Sequence, residues 1–360
     1  MICALIMAGG IGTRFWPKST EKKPKQFLNL VDDKTMLQLT YERMLKIIPQ
    51  ERIFILTGDK YIDLVKEQIE GISDRNIIIQ PAIKNTAPCI LLSTLYINQL
   101  YKDANIAVLP SDHMIGDNAE FCNTILKANN YLNEENKNSI ITIGITPDRP
   151  ESGYGYIKYE KADAGKPVIK VEKFVEKPTV EVAKTYLESG NYLWNAGIFI
   201  FNINYILKEF EEKYSNTYKL FLDLPKIGDK DFNEKTKEIY CQAEEISVDY
   251  AIMEKSDAIY VIPGDFGWDD IGTWLALQRY IKPDENNNYI RGKVRAINSK
   301  NNIIYTSNKE IVLLDLEDVF CIDSDDLIVI GKREKLGIKD FIINTGSLTQ
   351  EQIIDVYNLA

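Results

Sequence analysis

The sequence predicts a doubly wound, mostly parallel α/β sheet that carries an antiparallel insertion and is followed by a small C-terminal all-β domain. Three patterns support this fold class. Short Ile- and Val-rich runs alternate with helical patterns over about the first 150 residues, which is typical of βαβ units. After about residue 150, apolar and polar residues alternate with a period of two. The C-terminal part then shows a series of short predicted strands separated by turn signals.

Five apolar runs predict buried strands, because strands covered by helices on both faces are apolar throughout. They lie at residues 2–8, 52–58, 76–80, 105–110 and 139–145. Between them, apolar residues spaced three and four apart predict helices at 35–48, 61–71, 88–101 and 120–132. Ligands of such sheets bind beyond the carboxyl ends of the strands, so functional residues are expected directly after each run.

The antiparallel insertion is predicted from residues 153–160 and 168–177, followed by an extended segment at 194–202. Helical patterns return at 202–213, 231–243, 248–255 and 270–281, and short strands fill 289–332. At 360 residues the chain is long enough for about two domains. A polar segment beginning at Lys282 places their boundary between residues 283 and 284, which gives domains 1–283 and 284–360.

Composition excludes several classes of protein. The 43 Lys and Arg residues against 53 Asp and Glu give a net charge of −10, which argues against nucleic acids and anionic membranes as partners. The sequence contains no apolar run of 18 residues, so we expect no membrane-spanning helix. The five cysteines are dispersed and never form a C-x-x-C pair, which favours reduced thiols in the cytoplasm over disulfides or a zinc site.

A glycine-rich segment follows the first predicted strand and opens a basic run. It reads AGGIGTRFWP from Ala8 and continues to Lys25. Glycines let backbone N–H groups approach an anion, and Arg14 and Lys25 can neutralise phosphate charge. The alternative is a surface turn followed by solvated lysines. Five basic residues from Arg14 to Lys25, at a strand end of an acidic chain, favour a phosphate site. The pattern matches neither the P-loop nor the dinucleotide-binding motif.

Two acidic positions have the chemistry of a magnesium site. Asp112 closes the fourth predicted strand, and Asp269 and Asp270 precede a predicted helix. Carboxylates are hard oxygen ligands of the kind that Mg²⁺ combines with substrate phosphates. The alternative interpretation makes Asp270 a helix N-cap and Asp112 a turn former. His113, the one histidine, is expected to form a structural hydrogen bond rather than to act as a ligand or base.

Eight segments, taken together, resemble the sugar-nucleotide pyrophosphorylases, and among them the mannose-1-phosphate guanylyltransferases. In chain order they are LIMAGGIGTRFWPKSTEKKPKQF (5–27), NTAPCI (85–90), LPSDH (109–113), GYGYI (153–157), FVEKP (174–178), WNAGIF (194–199), SVDYAIMEK (247–255) and WDDIGTW (268–274). The resemblance implies a Rossmann-like nucleotidyltransferase sheet. The C-terminal strands are similar to the short β-helical domain of this family.

The resemblance also implies roles for individual residues. It makes Arg14 and Lys25 catalytic and places Mg²⁺ on Asp112 and Asp270, with Asp269 as a bystander. It places the sugar phosphate at Gly155, Glu176, Lys177, Asn195 and Asp249, and the nucleotide at Ala8, Gly9, Gly10, Gly12, Thr13, Gln80, Pro81, Asn85, Thr86, Ala87 and Ser111. Without the resemblance, FVEKP is a charged strand end, and the aspartate of SVDY caps a helix equally well.

Gln80 is the position at which the sequence departs from the family, whose segment usually begins with Glu. Guanine presents two donors on one edge. A carboxylate can accept both of them, whereas a carboxamide has one acceptor oxygen. We therefore expect guanine recognition here to depend more on backbone carbonyls.

The reaction implied by the resemblance converts mannose 1-phosphate and GTP to GDP-mannose and pyrophosphate, with Mg²⁺ as cofactor. The sugar phosphate would itself be the nucleophile, since its second pKa is about 6 and no general base is needed. Two alternatives stay open: the same chemistry on another nucleotide or sugar 1-phosphate, and a non-catalytic subunit that binds sugar nucleotides and regulates a partner. A homodimer is compatible with the sequence.

Overall fold

The protein, seen in a computed structural model, is described over residues 1–10, 15–307, 309–324 and 327–336. It divides into two compact units. The first comprises Met1–Gly9 and Thr40–Asp269, and the second comprises Gly10–Leu39 and the chain from Asp270 onward. The basic run before residue 26 therefore groups with the C-terminal strands. The domain boundary between residues 283 and 284 stays a prediction.

The first unit has the predicted α/β architecture. Its strands are β1 (Ile2–Met7), β2 (Ile53–Gly58), β3 (Ile77–Gln80), β4 (Asn105–Pro110), β5 (Met114–Ile115), β6 (Ile140–Ile145), β7 (Tyr156–Tyr159), β8 (Ile169–Val175), β9 (Tyr192–Asn202), β10 (Ile259–Gly264) and β11 (Trp268–Asp269). The helices of the described chain are α1 (Met36–Leu45), α2 (Ile62–Gln68), α3 (Thr86–Leu100), α4 (Asn118–Glu134), α5 (Val180–Ser189), α6 (Ile203–Lys213), α7 (Ser215–Phe221), α8 (Phe232–Cys241) and α9 (Val248–Ala251).

A nine-stranded sheet in the order β3-β2-β1-β4-β9-β6-β10-β8-β7 organises this unit. The pairs β2–β3, β1–β2, β1–β4 and β6–β10 are parallel, which confirms the mostly parallel prediction. The long strand β9 runs antiparallel between β4 and β6 and also pairs with β7. The predicted antiparallel insertion therefore joins the central sheet rather than standing apart from it.

The carboxyl ends of β1 to β4 share one edge of the sheet. Met7 pairs with Pro110, and Gly58 pairs with Gln80. The strands are apolar and buried over nearly their full length because helices cover them, as the continuous Ile- and Val-rich runs predict. The residues that follow them are therefore brought to one edge, where ligands of parallel sheets bind.

The C-terminal part contains the strands β12 (Tyr289–Arg291), β13 (Val294–Ile297), β14 (Ile303–Tyr305), β15 (Ile311–Leu314), β16 (Val319–Asp323) and β17 (Ile328–Lys332). β12, β14 and β16 stack in parallel, as do β13 and β15. Buried asparagines support this stacking, since Asn302 Nδ2 donates to Asn288 Oδ1 and to the Leu316 carbonyl, each at 3.0 Å. The all-β prediction is confirmed for the described strands.

Several elements differ from the sequence prediction. The helices α5 and α7 and the strands β5, β10 and β11 were not predicted, and residues 270–281 form only a 3₁₀ turn at Trp274–Arg279. All five cysteines are free thiols. Among the described residues, no helix combines the length and the apolar character that crossing a membrane requires.

Candidate active site

Gln80 and Gly9 meet at the carboxyl edge of the sheet. Gln80 ends β3 and is buried, and its Nε2 donates to the Ala82 carbonyl at 2.9 Å. Its Oε1 faces Gly9 so closely that a Cβ at position 9 would lie 2.0 Å from that oxygen. A side chain at position 9 would therefore force the Gln80 amide to move. The preceding Ala8 is fixed to β2, since its carbonyl accepts from Thr57 Oγ1 at 3.1 Å.

The predicted nucleotide segment at the start of α3 is fixed to the segment that leads into α9. Asn85 has a φ of 64°, and its Oδ1 accepts from the Thr86 N–H at 3.0 Å, which caps α3. Thr86 Oγ1 accepts from the Val248 N–H at 2.8 Å, and the Ala87 N–H donates to the Ile246 carbonyl at 3.1 Å. These bonds connect the nucleotide segment to the helix that carries a predicted sugar-site residue.

Pro81 is partly buried just after Gln80. It lines a cavity of about 340 Å³ together with Tyr96 of α3 and Phe232 of α8. Its contact with a nucleotide stays a prediction.

Ser111, Asp112 and His113 follow β4 at the same edge. The Ser111 N–H donates to the Met7 carbonyl at 3.2 Å, which extends the pairing of β1 with β4. His113 Nδ1 accepts from Trp268 Nε1 at 3.0 Å, and the two rings are in edge-to-face contact. This geometry supports a structural role for His113. Asp112 lies between Ser111 and His113, and each of these two residues is held in place by a hydrogen bond.

The five residues predicted to bind the sugar phosphate come together within the first unit. A Cβ on Gly155 would lie 2.5 Å from Glu176 Oε2 and 3.3 Å from Asn195 Cβ. The Asn195 N–H donates to the Gly155 carbonyl at 2.8 Å, and Asn195 Nδ2 donates to Asp249 Oδ1 at 3.2 Å. Lys177 Nζ pairs with Glu176 Oε1 at 2.6 Å. Carboxylates, an amide and an ammonium group thus occupy one small region.

Strand pairing explains this convergence. Tyr156 of β7 stands opposite Val175 of β8 on one side and Trp194 of β9 on the other. Residues 155, 176 and 195 are the immediate neighbours of these three, so the register alone brings them together. The three motifs are far apart in the sequence, and the sequence alone does not predict the strand register that joins them.

The Asp249 carboxylate is oriented by a hydrogen bond from Asn195 and does not cap α9. Asn195 Oδ1 accepts from Thr142 Oγ1 at 3.2 Å and from the Gly197 N–H at 3.0 Å, which leaves Nδ2 for the Asp249 carboxylate. Ser247 caps α9 by accepting from a backbone N–H. Burial, and next the charge of Glu176, raise the pKa of Asp249 to about 6. A carboxyl group with such a pKa is typical of functional sites.

Lys25 differs from the lysines beside it in the second unit. It is 6% exposed, and its Nζ donates to the Asp270 carbonyl at 2.5 Å and lies 5.7 Å from the centre of the Phe15 ring. Lys22 and Lys23 are exposed. The basic run is therefore not a uniform surface patch.

The C-terminal strands hold the segment that carries Lys25. The Tyr305 hydroxyl bonds to the carbonyls of Asn29 at 3.0 Å and Leu30 at 2.7 Å. Trp274 Nε1 donates to the Trp16 carbonyl at 2.9 Å, and its ring packs edge-on against Phe15 and Tyr305. These contacts, all within the second unit, orient the lysine by fixing the backbone on both sides of it.

Asp270 is not the cap of the turn that follows it. Thr273 fills that role, since its Oγ1 accepts from the Ala276 N–H at 3.3 Å. Asp269 ends β11, where its backbone pairs with Met114. The Gly10 carbonyl accepts from Gln26 Nε2 at 2.8 Å, and, apart from Gly10 itself and its chain neighbours, no atom of the described residues lies within 4 Å of the position of a Cβ there. Gly12, Thr13 and Arg14 lie outside the described residues, so their roles stay predictions.

Sequence reasoning missed Tyr240 of α8. It is fully buried, and its hydroxyl lies 3.1 Å from Cys89 Sγ, which donates to the Asn85 carbonyl at 3.0 Å. Helical periodicity could have placed Tyr240 in the core, but no sequence signal shows that its hydroxyl contacts Cys89 of α3.

Comparisons with known proteins identify the family of this chain. Residues 3–287 match the nucleotidyl transferase family. The xanthan biosynthesis protein XanB of Xanthomonas campestris pv. campestris (strain B100) is 35% identical over 340 residues, which cover 93% of this chain and 71% of XanB. Mannose-1-phosphate guanylyltransferase 2 of Escherichia coli O157:H7 is 34% identical over 348 residues, covering 92% and 70%.

A solved structure from Thermus thermophilus, named mannose-1-phosphate geranyltransferase, superposes with a TM-score of 0.83 at 27% identity. The match covers 96% of this chain and 98% of the Thermus chain. Since the family match spans most of the chain and the relatives exceed 30% identity over most of their length, the chain belongs to the nucleotidyl transferase family.

Proposed function

We propose that this protein is a mannose-1-phosphate guanylyltransferase, which forms GDP-mannose and pyrophosphate from GTP and mannose 1-phosphate. The observation that carries the proposal is the convergence of Gly155, Glu176, Lys177, Asn195 and Asp249 in a chain of this family. Two carboxylates and an amide suit the hydroxyl groups of a sugar, and the exposed ammonium suits its phosphate. The names of the relatives in Escherichia coli supply the choice of mannose and guanine.

The nucleotide is proposed to bind at the carboxyl edge of the sheet. Gly9 permits close approach of the backbone, and Gln80 Oε1 is the side-chain acceptor beside it. Asn85, Thr86 and Ala87 would shape the base pocket, with Ser111 at the end of β4. Ala8, Gly10, Gly12, Thr13 and Pro81 are carried over from the family segments as further contacts.

The chemistry requires positioning and charge stabilisation more than acid–base catalysis. A sugar phosphate with a second pKa of about 6 is mostly dianionic at neutral pH and can attack the α-phosphorus directly. Lys25, buried and oriented through Asp270 and Phe15, would hold a fixed positive charge against the phosphate oxygens. Lys177 would bind the sugar phosphate, and Arg14 the departing pyrophosphate.

Asp112 and Asp270 are proposed as Mg²⁺ ligands. Their carboxylates are hard oxygen donors and match the preference of this ion, which completes its shell with substrate phosphates and water. Among the described residues no group of three or more His, Cys, Asp or Glu side chains is arranged to hold a metal, so a site here would depend on few protein ligands. When bound, Mg²⁺ would neutralise phosphate charge.

The direct test is product identification. The full chain is incubated with GTP, mannose 1-phosphate and Mg²⁺, and pyrophosphate release and GDP-mannose are followed by a coupled assay and by mass spectrometry. Equal amounts of both products are expected, and none after EDTA treatment. Binding of GDP-mannose without any turnover would instead support a non-catalytic regulatory subunit.

A further inference from the structure

Thr142 is a polar residue inside the otherwise apolar strand β6, and its side chain is fully buried. Its hydroxyl oxygen lies 3.2 Å from Asn195 Oδ1 and 3.3 Å from the Ile198 carbonyl oxygen. Both partners are acceptors, so the single hydroxyl hydrogen is shared between them. A buried polar group in an apolar strand calls for an explanation beyond core packing, and these two contacts provide one.

The two acceptors lie on either side of an irregularity in β9. From Thr142 to Gly144, β6 advances by two residues, whereas their partners in β9, Phe199 and Asn195, are four residues apart. The extra residues of β9 include Gly197, whose φ of 66° lies in the left-handed region that glycine adopts without strain. The Thr142 hydroxyl therefore spans a β-bulge, a feature that can re-aim a side chain beside an active site.

This bulge fixes the orientation of the Asn195 amide. Its Oδ1 accepts from the Gly197 N–H at 3.0 Å and from the Thr142 hydroxyl. Its Nδ2 donates to Asp249 Oδ1 at 3.2 Å. Turning the amide by 180° would place Nδ2 against the Gly197 N–H and Oδ1 against the carboxylate, so that donor would face donor and acceptor would face acceptor. The amide therefore has one orientation, in which an N–H points at Asp249.

The hydrogen bond from Asn195 acts on the charge of Asp249 as well as on its direction. Burial, and next the charge of Glu176, raise the pKa of Asp249 to about 6, and the N–H of Asn195 acts in the opposite direction. A donor that favours the ionised form helps to keep this carboxyl group a hydrogen-bond acceptor at neutral pH. The ionised form accepts on both oxygens, which suits the hydroxyl groups of a sugar.

From this geometry we propose that Thr142 is a positioning residue for the sugar substrate: by holding the bulge of β9, it keeps the Asn195 amide turned towards Asp249, whose carboxylate then accepts a hydrogen bond from a sugar hydroxyl. This role rests on the proposed function, in which Asn195 and Asp249 contact mannose 1-phosphate. Thr142 is fully buried and acts through Asn195. Its effect should therefore fall on the sugar phosphate and not on GTP.

The test compares KM for mannose 1-phosphate and KM for GTP in wild type, Thr142→Val and Thr142→Ser, by steady-state pyrophosphate release. Thr142→Val keeps the branched shape and removes the hydroxyl. We expect KM for mannose 1-phosphate to rise about fivefold to tenfold, the scale of one neutral hydrogen bond, while KM for GTP is unchanged. Thr142→Ser keeps the hydroxyl and should restore most of the loss.

Thr124→Val is the matched control. Thr124 is a buried threonine of α4 whose hydroxyl donates to the Glu120 carbonyl at 2.9 Å, and it is not among the residues proposed for either substrate. Neither KM should change in this variant.

Asn195→Ala separates an effect through Asn195 from a general weakening of the sheet. In that background, Thr142→Val should leave KM for mannose 1-phosphate unchanged. An unchanged KM in the single Thr142→Val variant, an equal rise in both backgrounds, or an equal rise in KM for GTP would overturn the positioning role and leave the proposed function standing. A wild-type enzyme that does not use mannose 1-phosphate would overturn both.

A second pair of variants covers the case in which Thr142→Val does not fold. Thr142→Ala and Thr142→Ser differ from each other in the hydroxyl alone. The rise in KM for mannose 1-phosphate is then expected in Thr142→Ala and not in Thr142→Ser, and equal KM values in the two variants would overturn the role.

Discussion

Replacing Lys25 by alanine is expected to slow the reaction far more than replacing any neighbouring lysine. The structure separates them, since Lys25 is 6% exposed and bonded to the Asp270 carbonyl, whereas Lys22 and Lys23 are exposed. Lys18 is bonded to Ser307 and lies 5.0 Å from the centre of the Tyr305 ring. If the run only attracted anions, the four side chains would be equivalent.

The magnitude follows from burial. A preorganised donor aimed at charge that develops in the transition state is worth about 10²–10³ in kcat when removed, or about 2.7–4 kcal/mol. Lys25→Ala should lose at least about 10²-fold in kcat on this scale. It also leaves the Asp270 carbonyl without this donor, which should lower the free energy of unfolding by about 1–3 kcal/mol. Lys22→Ala and Lys23→Ala should change KM by no more than a few-fold.

The assay is steady-state pyrophosphate release for each variant, at low and at high salt, with thermal unfolding as the check on folding. Exposed charges are screened over a Debye length of about 10 Å at 0.1 M salt, so effects of Lys22→Ala and Lys23→Ala should shrink as salt rises. The loss in Lys25→Ala should persist, and Lys25→Arg should restore only part of it because a planar guanidinium has a different shape. Equal, salt-sensitive losses in all the alanine variants would refute a catalytic role for Lys25.

Three further predictions concern other parts of the site. Asp112→Asn and Asp270→Asn should each abolish most turnover in Mg²⁺ while the circular dichroism spectrum stays native, since each removes a proposed anionic metal ligand; near-normal activity would remove that residue from the ligand set. Gln80→Glu should raise the GTP/ATP ratio of kcat/KM, because a second acceptor pairs with guanine, and should lower the melting temperature, because a carboxylate faces the Ala82 carbonyl; an unchanged ratio would show that this side chain does not read the base. The pKa of Asp249 is raised from 3.8 to about 6 in the folded protein, so the unfolded chain loses this proton at a lower pH than the folded one. The free energy of unfolding should therefore fall as pH rises through that interval. Asp249→Asn should therefore gain stability relative to wild type between pH 4 and pH 6 in thermal melts, and a pH-independent difference would contradict the shift.

The parallel half of the sheet could be predicted because its strands are buried on both faces. The Ile- and Val-rich runs at β1, β2 and β4 are too short for a helix and therefore predict buried strands. The predicted ends of these strands match the structure within one or two residues. The helix α5 also has sequence signals at both ends, since Thr179 is its N-cap and Gly190 follows it in the left-handed region. The two-residue strands β5 and β11 are too short for any periodicity.

The sequence predicts helices and strands better than it predicts which residues lie next to each other in space. WNAGIFIFN predicts an extended segment, yet nothing in it shows that β9 inserts antiparallel between β4 and β6. That insertion supplies the register that joins Gly155, Glu176 and Asn195. Likewise, the contacts of Tyr240 with Cys89 and of Lys25 with Asp270 join residues more than a hundred positions apart. Residue types indicated the chemistry, while tertiary pairing determined which groups meet.

We expect this nucleotidyl transferase to couple a guanine nucleotide to mannose 1-phosphate. The most direct measurement is a competition in which the enzyme meets equal concentrations of GTP, ATP, UTP and dTTP together with mannose 1-phosphate, glucose 1-phosphate and a manno-heptose 1-phosphate. Early product ratios, read by mass spectrometry, give the ratios of kcat/KM directly. GDP-mannose should be the dominant product. A mixture led by a uridine or thymidine nucleotide, or by another sugar, would contradict the assignment.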